Sequence, residues 1–257
     1  MRTNQLLALA LLCAAALARA ADSQPAATPY RPSVSAPAAL PEPGWLDVEF
    51  GAQRIKGGGD KLRDSLPFAA KLAFDADWGV VLGGELAVHR SDWSGPSFDG
   101  LGDTTLLLKR RIATADEGTA WGFSVGFKTP TAKDSIGSGK SDALLTGIFS
   151  SDFAGDLHLD ANLAVTRLGA SGPREGRSQY AWALALSRSL NERWSIFAEP
   201  SGGSRRGVAS TAQLMVGASY SLSKRVVFDC AVARGLNGAS PDWQLLAGVT
   251  LLLGRLW

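Results

Sequence analysis

The chain has 257 residues, with 26 Lys and Arg against 24 Asp and Glu, and this near balance excludes the strongly basic surface that nucleic-acid binding requires. Only 19% of residues are charged while glycine is abundant at 29, which fits one large all-β domain better than two small mixed ones. Cysteine is confined to Cys13 and Cys230, which excludes a disulfide-stapled scaffold.

Residues 1–20 read as a signal peptide: Arg2, the apolar run LLALALLCAAAL, then Ala18-Arg19-Ala20 as the peptidase site. Cys13 follows Leu12, whereas a lipoprotein cleavage site carries a small residue there, so lipid attachment is not expected. Loss of Arg2 and Arg19 leaves 24 basic residues against 24 acidic ones in a mature chain starting near Ala21. Residues 21–43 are rich in Pro, Ala and Ser, a composition that builds no packed core. They are expected to form an extended periplasmic tail, with a lumen plug as the alternative. Beyond the signal no apolar run approaches the roughly 20 residues of a spanning helix, so an exported chain of this kind is either periplasmic or an outer-membrane barrel.

Residues 44–257 then alternate with the period of a sheet. Strands are predicted near 45–54, 66–75, 79–90, 102–113, 119–129, 142–151, 156–167, 178–189, 193–201, 210–221, 224–234 and 243–257. In the seventh, Asp156, His158, Asp160, Asn162 and Thr166 share one face, and Leu157, Leu159, Ala161, Leu163 and Val165 the other. The connections sort by parity. Those after even strands are short, such as DADW and SLSKR, whereas those after odd strands are long and rich in Gly, Ser and charge. An even strand count with short turns on one side and long loops on the other predicts a transmembrane antiparallel up-and-down β-barrel of about 12 strands.

Aromatic placement agrees with a membrane wall. Trp78, Trp121, Trp194 and Trp257 fall at strand ends assigned to the periplasmic interface, and Trp182 and Trp243 at the outer one, all with lipid-facing parity. The last strand carries Trp243, Leu245, Ala247, Val249, Leu251, Leu253 and Trp257 in that lipid-facing row, with Arg255 as an unexplained charge within it.

Four stretches also resemble a known family: GLGDTTLLLKRRI (100–112), GFKTPTAKDSIGSGKSDALL (126–145), LNERWSIFAE (190–199) and LSKRVVFDCAVARGLNGASPDWQLLAGVTLLL (222–253). They are similar to the outer-membrane barrels of the MetA pathway of phenol degradation, a family commonly labelled transporter-like. The resemblance implies passage of small, aromatic compounds and no catalytic residue. An aromatic last residue further resembles the signal read by the outer-membrane barrel assembly machinery.

By parity the bore collects Glu49, Lys71, Glu85, His89, Asp103, Lys109, Arg111, Lys128, His158, Asp160, Glu199 and Asp229 as lumen-lining candidates, joined by Gln53, Asp142, Asn162, Gln213 and Gln244. Such mixed charges either pair into a closed interior or line a narrow selective path. The expected function is therefore a transporter or narrow channel for small aromatic or anionic compounds, with a non-conducting structural or adhesive barrel as the alternative. The predicted outer loops hold 14 Lys and Arg against 8 Asp and Glu, a rim suited to lipopolysaccharide phosphates or anionic solutes. An outer-membrane lipid hydrolase is a second alternative, resting on His89-Arg90-Ser91, but parity turns that pair into the lumen and no carboxylate is placed to orient the imidazole. His158, between Asp156 and Asp160, reads as part of a polar lumen row rather than as a metal ligand, and no cofactor is expected.

Overall fold

A computed structural model describes residues 25–153 and 156–257; the expected signal peptide lies outside the described residues. Thirteen strands follow in order: β1 (Trp45–Lys56), β2 (Leu62–Ala73), β3 (Trp78–Ser91), β4 (Ser97–Gly100), β5 (Thr104–Ala113), β6 (Thr119–Thr129), β7 (Asp142–Phe153), β8 (Leu157–Arg167), β9 (Ser178–Ser189), β10 (Trp194–Arg205), β11 (Val208–Ser223), β12 (Val226–Gly235) and β13 (Trp243–Arg255). Every pairing is antiparallel, and β1–β13 with β2–β3 closes the ring, so none of the twelve long strands is left as an edge and the short β4 pairs on one side, with β3. The twelve long strands form an outer-membrane barrel as expected. The extra strand, β4, extends the outer half of β3, and its four residues carry no alternation to reveal it.

The long apolar side chains point outward, as a lipid solvent demands: Phe50, Leu106, Trp121, Phe127, Leu163 and Leu214 are all exposed. Inside, the polarity is inverted. The largest fully buried side chains include Lys71, Lys109, Glu49 and Glu199. One apolar cluster also sits in the bore, Met215, Ala231, Ala233 and Leu246 with Phe197 against them.

Three details depart from the sequence reading. The hairpin β10–β11 is longer than predicted and turns only at Arg206–Gly207, where Gly207 takes φ +79°, a conformation that L side chains rarely adopt. Polar and small residues there pair as strand above the membrane without the alternation that lipid imposes. A bulge in the β2–β3 ladder lies between Ser65 and Pro67, where the missing proline N–H cannot serve the ladder. It inserts an extra residue on β3, so the parity beyond it reverses: Glu85 opposes Pro67 but Val88 opposes Ser65. His89 therefore faces outward rather than into the lumen. A second bulge, at Leu46/Asp47 opposite Leu252–Gly254, moves Arg255 out of the lipid-facing row and into register with Trp45. Its Nε donates to the Trp257 carbonyl, and β13 ends at Arg255, so Trp257 follows the strand instead of lying within it.

Candidate functional site: the occluded bore

The decisive correction concerns residues 25–43. They do not hang in the periplasm: both ends lie at the periplasmic rim, where Ala27 N–H bonds the Lys224 carbonyl and Gly44 N–H that of Ala73, and the segment between loops into the bore. It has no strand or helix of its own, so its backbone groups need partners from the wall. The wall supplies them around its circumference.

On β1, Asp47 accepts from Thr28 N–H at 2.8 Å and Glu49 from Tyr30 N–H at 2.6 Å. On β10, Glu199 accepts from the Val34 and Ser35 N–H groups at 3.0 Å and from the Ser33 hydroxyl. Asn162 of β8 bonds both backbone groups of Ala36, and the Ser150 hydroxyl of β7 accepts from Ala38 N–H. The lysines serve carbonyls: Lys71 reaches Thr28, and Lys109 reaches Pro37 at 2.5 Å and Ala39 at 2.8 Å.

Tyr30 sits at the centre. Its ring lies 4.2 Å from the Lys71 ammonium and 4.0 Å from that of Lys109, a pair of cation–π contacts in a desolvated setting. Its hydroxyl donates to the Ala39 carbonyl and accepts from Lys109, both at 2.7 Å. Burial pushes the phenol well above its ordinary pKa, with Glu49 and Asp47 adding to the effect, so the donor proton stays in place. Lys71 is held by Glu49 at 2.6 Å and Asp47 at 3.2 Å.

The barrel is cut to fit this segment. The Arg31 guanidinium lies flat over the paired glycines Gly51 and Gly248, and a Cβ at Gly51 would stand 2.3 Å from its Cζ. It faces the otherwise unpaired Asp229 at 3.7 Å. Ala38, fully buried, packs in a small cluster with Ala120 and Ile148.

Above the segment lies a cavity of about 430 Å³, within the range of small-molecule sites. Its floor is Val34 and Ala36; its wall is small because the inward residues of β8–β10 are Ala164, Ala181, Ala183 and Gly203. Leu107 and Ile148 add apolar surface, Ser124, Thr146, Thr211 and Gln213 add neutral polar groups, and Ser240 and Pro241 from the β12–β13 loop complete it. None of the lining residues is charged.

Toward the outer mouth, the β6–β7 loop folds inward. Ala132 and Ile136 bury against Val88 and Phe98, Asp103 accepts from Ala132 N–H, and Arg90 bonds the Ser135 carbonyl. Lys128 bridges Asp103 at 2.8 Å and Asp142 at 3.0 Å, and Arg63 pairs with Glu85 at 2.6 Å.

Glu49, Lys71, Glu85, Asp103, Lys109, Arg111, Lys128, His158, Asp160, Glu199 and Asp229 thus all point into the bore. The segment gathers Glu49, Lys71, Lys109, Glu199 and Asp229 about itself, whereas Glu85, Asp103 and Lys128 stand at the outer mouth. His158 lies near the periplasmic end between Asp152 and Asp160. Outside, His89 Nδ1 meets Asp99 at 2.8 Å, and Ser91 shares its face opposite Ser97. Both sequence objections to that pair therefore fall, yet no hydrogen bond joins the imidazole to either serine. The structure sets Trp78, Trp121 and Trp194 on the outer wall at the periplasmic end, Trp257 at its rim, and Trp182 and Trp243 toward the outer side. Sequence reasoning missed Asp47 and Arg63 and held the plug formed by residues 28–38 only as the alternative to a tail; Asp47 shares Glu49's parity and was legible, but the segment's composition reads as linker.

The family described as "Putative MetA-pathway of phenol degradation" matches residues 44–253. The chain belongs to it. The match spans the barrel and stops short of the inserted segment. The fold is similar to that of an outer membrane channel of the COG4313 group from Pseudomonas putida F1, with TM-score 0.65 at 14% identity over 84% of this chain and 97% of that one. NanC porin follows at 0.57 and 10%, over 81% and 100%, and the CymD monoaromatic hydrocarbon channel at 0.50 and 11%, over 84% and 90%. Among curated proteins none matches.

Proposed function

We propose that this family member is a gated outer-membrane channel for small neutral solutes, closed in this conformation by its own residues 25–43. The cavity carries the reading: a hollow of about 430 Å³ with hydroxyl, amide and aliphatic walls and no charge suits an uncharged compound bearing one or two hydrogen-bonding groups. Family membership and the CymD likeness in fold make monoaromatic alcohols and phenols the first solutes to try. An anionic solute is disfavoured, because once the segment leaves, the carboxylates of Asp47, Glu49, Glu199 and Asp229 outnumber the ammonium groups of Lys71 and Lys109 along the path.

Passage requires the segment to leave the bore, and the test follows from that. The mature chain and a variant lacking residues 21–43 are refolded and compared in planar bilayers and in liposome swelling with neutral and anionic solutes of matched size. Rare small events in the mature chain and a sustained larger conductance in the deletion are expected, with phenol passing faster than benzoate. Two silent barrels would overturn the channel reading; equal conductance in both would overturn the gate.

A further inference from the structure

The outer wall carries a second feature that the bore does not use. At the outer end of β12, β13 and β1, Arg234, Trp243 and Lys56 stand side by side in one outward-facing cross-strand row. Directly opposed residues lie about 5 Å apart at Cβ, so the two cations flank the tryptophan at the height of the lipid headgroups. Neither has an ion-pair partner among the described residues, in contrast to Arg54, one row below, which Asp64 holds through both carboxylate oxygens at 2.6 and 2.7 Å.

Beneath this row the wall is hollow. Ala52, Ala87 and Ala247 leave a groove of about 540 Å³ between Leu66 and Leu245. It is crowned by Arg54, Asp64, His89 and Asp99, and it exists because the β2–β3 bulge turns that end of β3 around. Above the crown, Ser91 and Ser97 present hydroxyls on the same outward face.

We infer that this groove binds a phosphorylated glycolipid of the outer leaflet, of the lipid A class. Lys56 and Arg234 would take the phosphates, the Trp243 ring a sugar face, Ser91 and Ser97 its hydroxyls, and the alanine hollow one acyl chain. A plain phospholipid offers a single phosphate and no sugar, so it meets only part of this set. The inference stands apart from the channel reading, since the bore contributes nothing to it.

Native mass spectrometry of the folded, detergent-solubilised protein, titrated with lipid A, dephosphorylated lipid A and phosphatidylglycerol, tests it. Lipid A should be retained as a single copy and most tightly. Replacing both cations (Lys56→Gln with Arg234→Gln) should weaken its binding roughly 25-fold, about fivefold per charge. Ala52→Leu fills the groove without touching a charge and should weaken binding independently. Heat-modifiable migration on cold denaturing gels verifies that each variant is folded. Equal retention of phosphatidylglycerol, or unchanged lipid A binding in both folded variants, would overturn the inference.

Discussion

Glu199→Ala is the sharpest probe of the gate. Glu199 is fully buried, and its carboxylate holds the apex of the inserted segment through the Ser33 hydroxyl and the Val34 and Ser35 N–H groups. A hydrogen bond to a charged group contributes about 1.5–3 kcal/mol net, so simple addition gives about 4.5–9 kcal/mol. That sum is too large, because the three bonds share one acceptor and are not independent. The vacated site also adjoins the cavity, from which water can solvate the freed N–H groups. A net loss of about 2–4 kcal/mol remains, which shifts the closed-to-open ratio by roughly 30- to 700-fold at 1.4 kcal/mol per decade. Single-channel recording reads this as open probability, with the variant lacking residues 21–43 setting its ceiling. Glu199→Gln keeps an acceptor oxygen and should fall between. If Glu199→Ala folds and its open probability equals that of the parent, the carboxylate does not hold the gate and the hydrogen-bond reasoning fails.

Two further outcomes follow from the same geometry. Ala181→Phe places a ring in the hollow that Ala164, Ala181 and Gly203 leave, so in the deletion background it should cut phenol flux at least tenfold while heat-modifiable migration stays normal. Tyr30→Phe keeps the ring between Lys71 and Lys109 but loses the hydroxyl bonded to Lys109 and Ala39; at about 1–2 kcal/mol it should raise open probability roughly 5- to 30-fold, less than Glu199→Ala.

Why the barrel was legible and the gate was not has a physical cause. A lipid-facing wall must alternate, and Leu157–Val165 or Trp121–Phe127 declare their faces at every second residue, so strand number, closure and most of the bore could be read directly. Parity counting fails where a bulge intervenes, because register lives in the partner strand: nothing in His89-Arg90-Ser91 reveals that Pro67, across the ladder, has forced an extra residue ahead of it. Arg255 was unexplained for the same reason. Residues 25–43 failed differently. Their composition correctly implies no strand and no core of their own, but a segment that lacks secondary structure can still be ordered when another surface satisfies its backbone.

That last point also recasts the charges of the bore. Acidic and basic residues in similar number could have paired with one another or set a field across an open path. Many instead meet a guest that itself offers both donors and acceptors: carboxylates of Asp47, Glu49 and Glu199 take its N–H groups, and ammonium groups of Lys71 and Lys109 take its carbonyls. The prolines of the segment fit the same logic. Pro25, Pro29, Pro32, Pro37, Pro41 and Pro43 have no N–H to satisfy, so an irregular segment can fold into a narrow bore with fewer donors left to match. Binding energy divided among separate side chains on β1, β2, β5, β7, β8, β10 and β12 suits a reversible gate. No single contact need break first, and each that is weakened by a solute arriving on Val34 and Ala36 lowers the cost of the next.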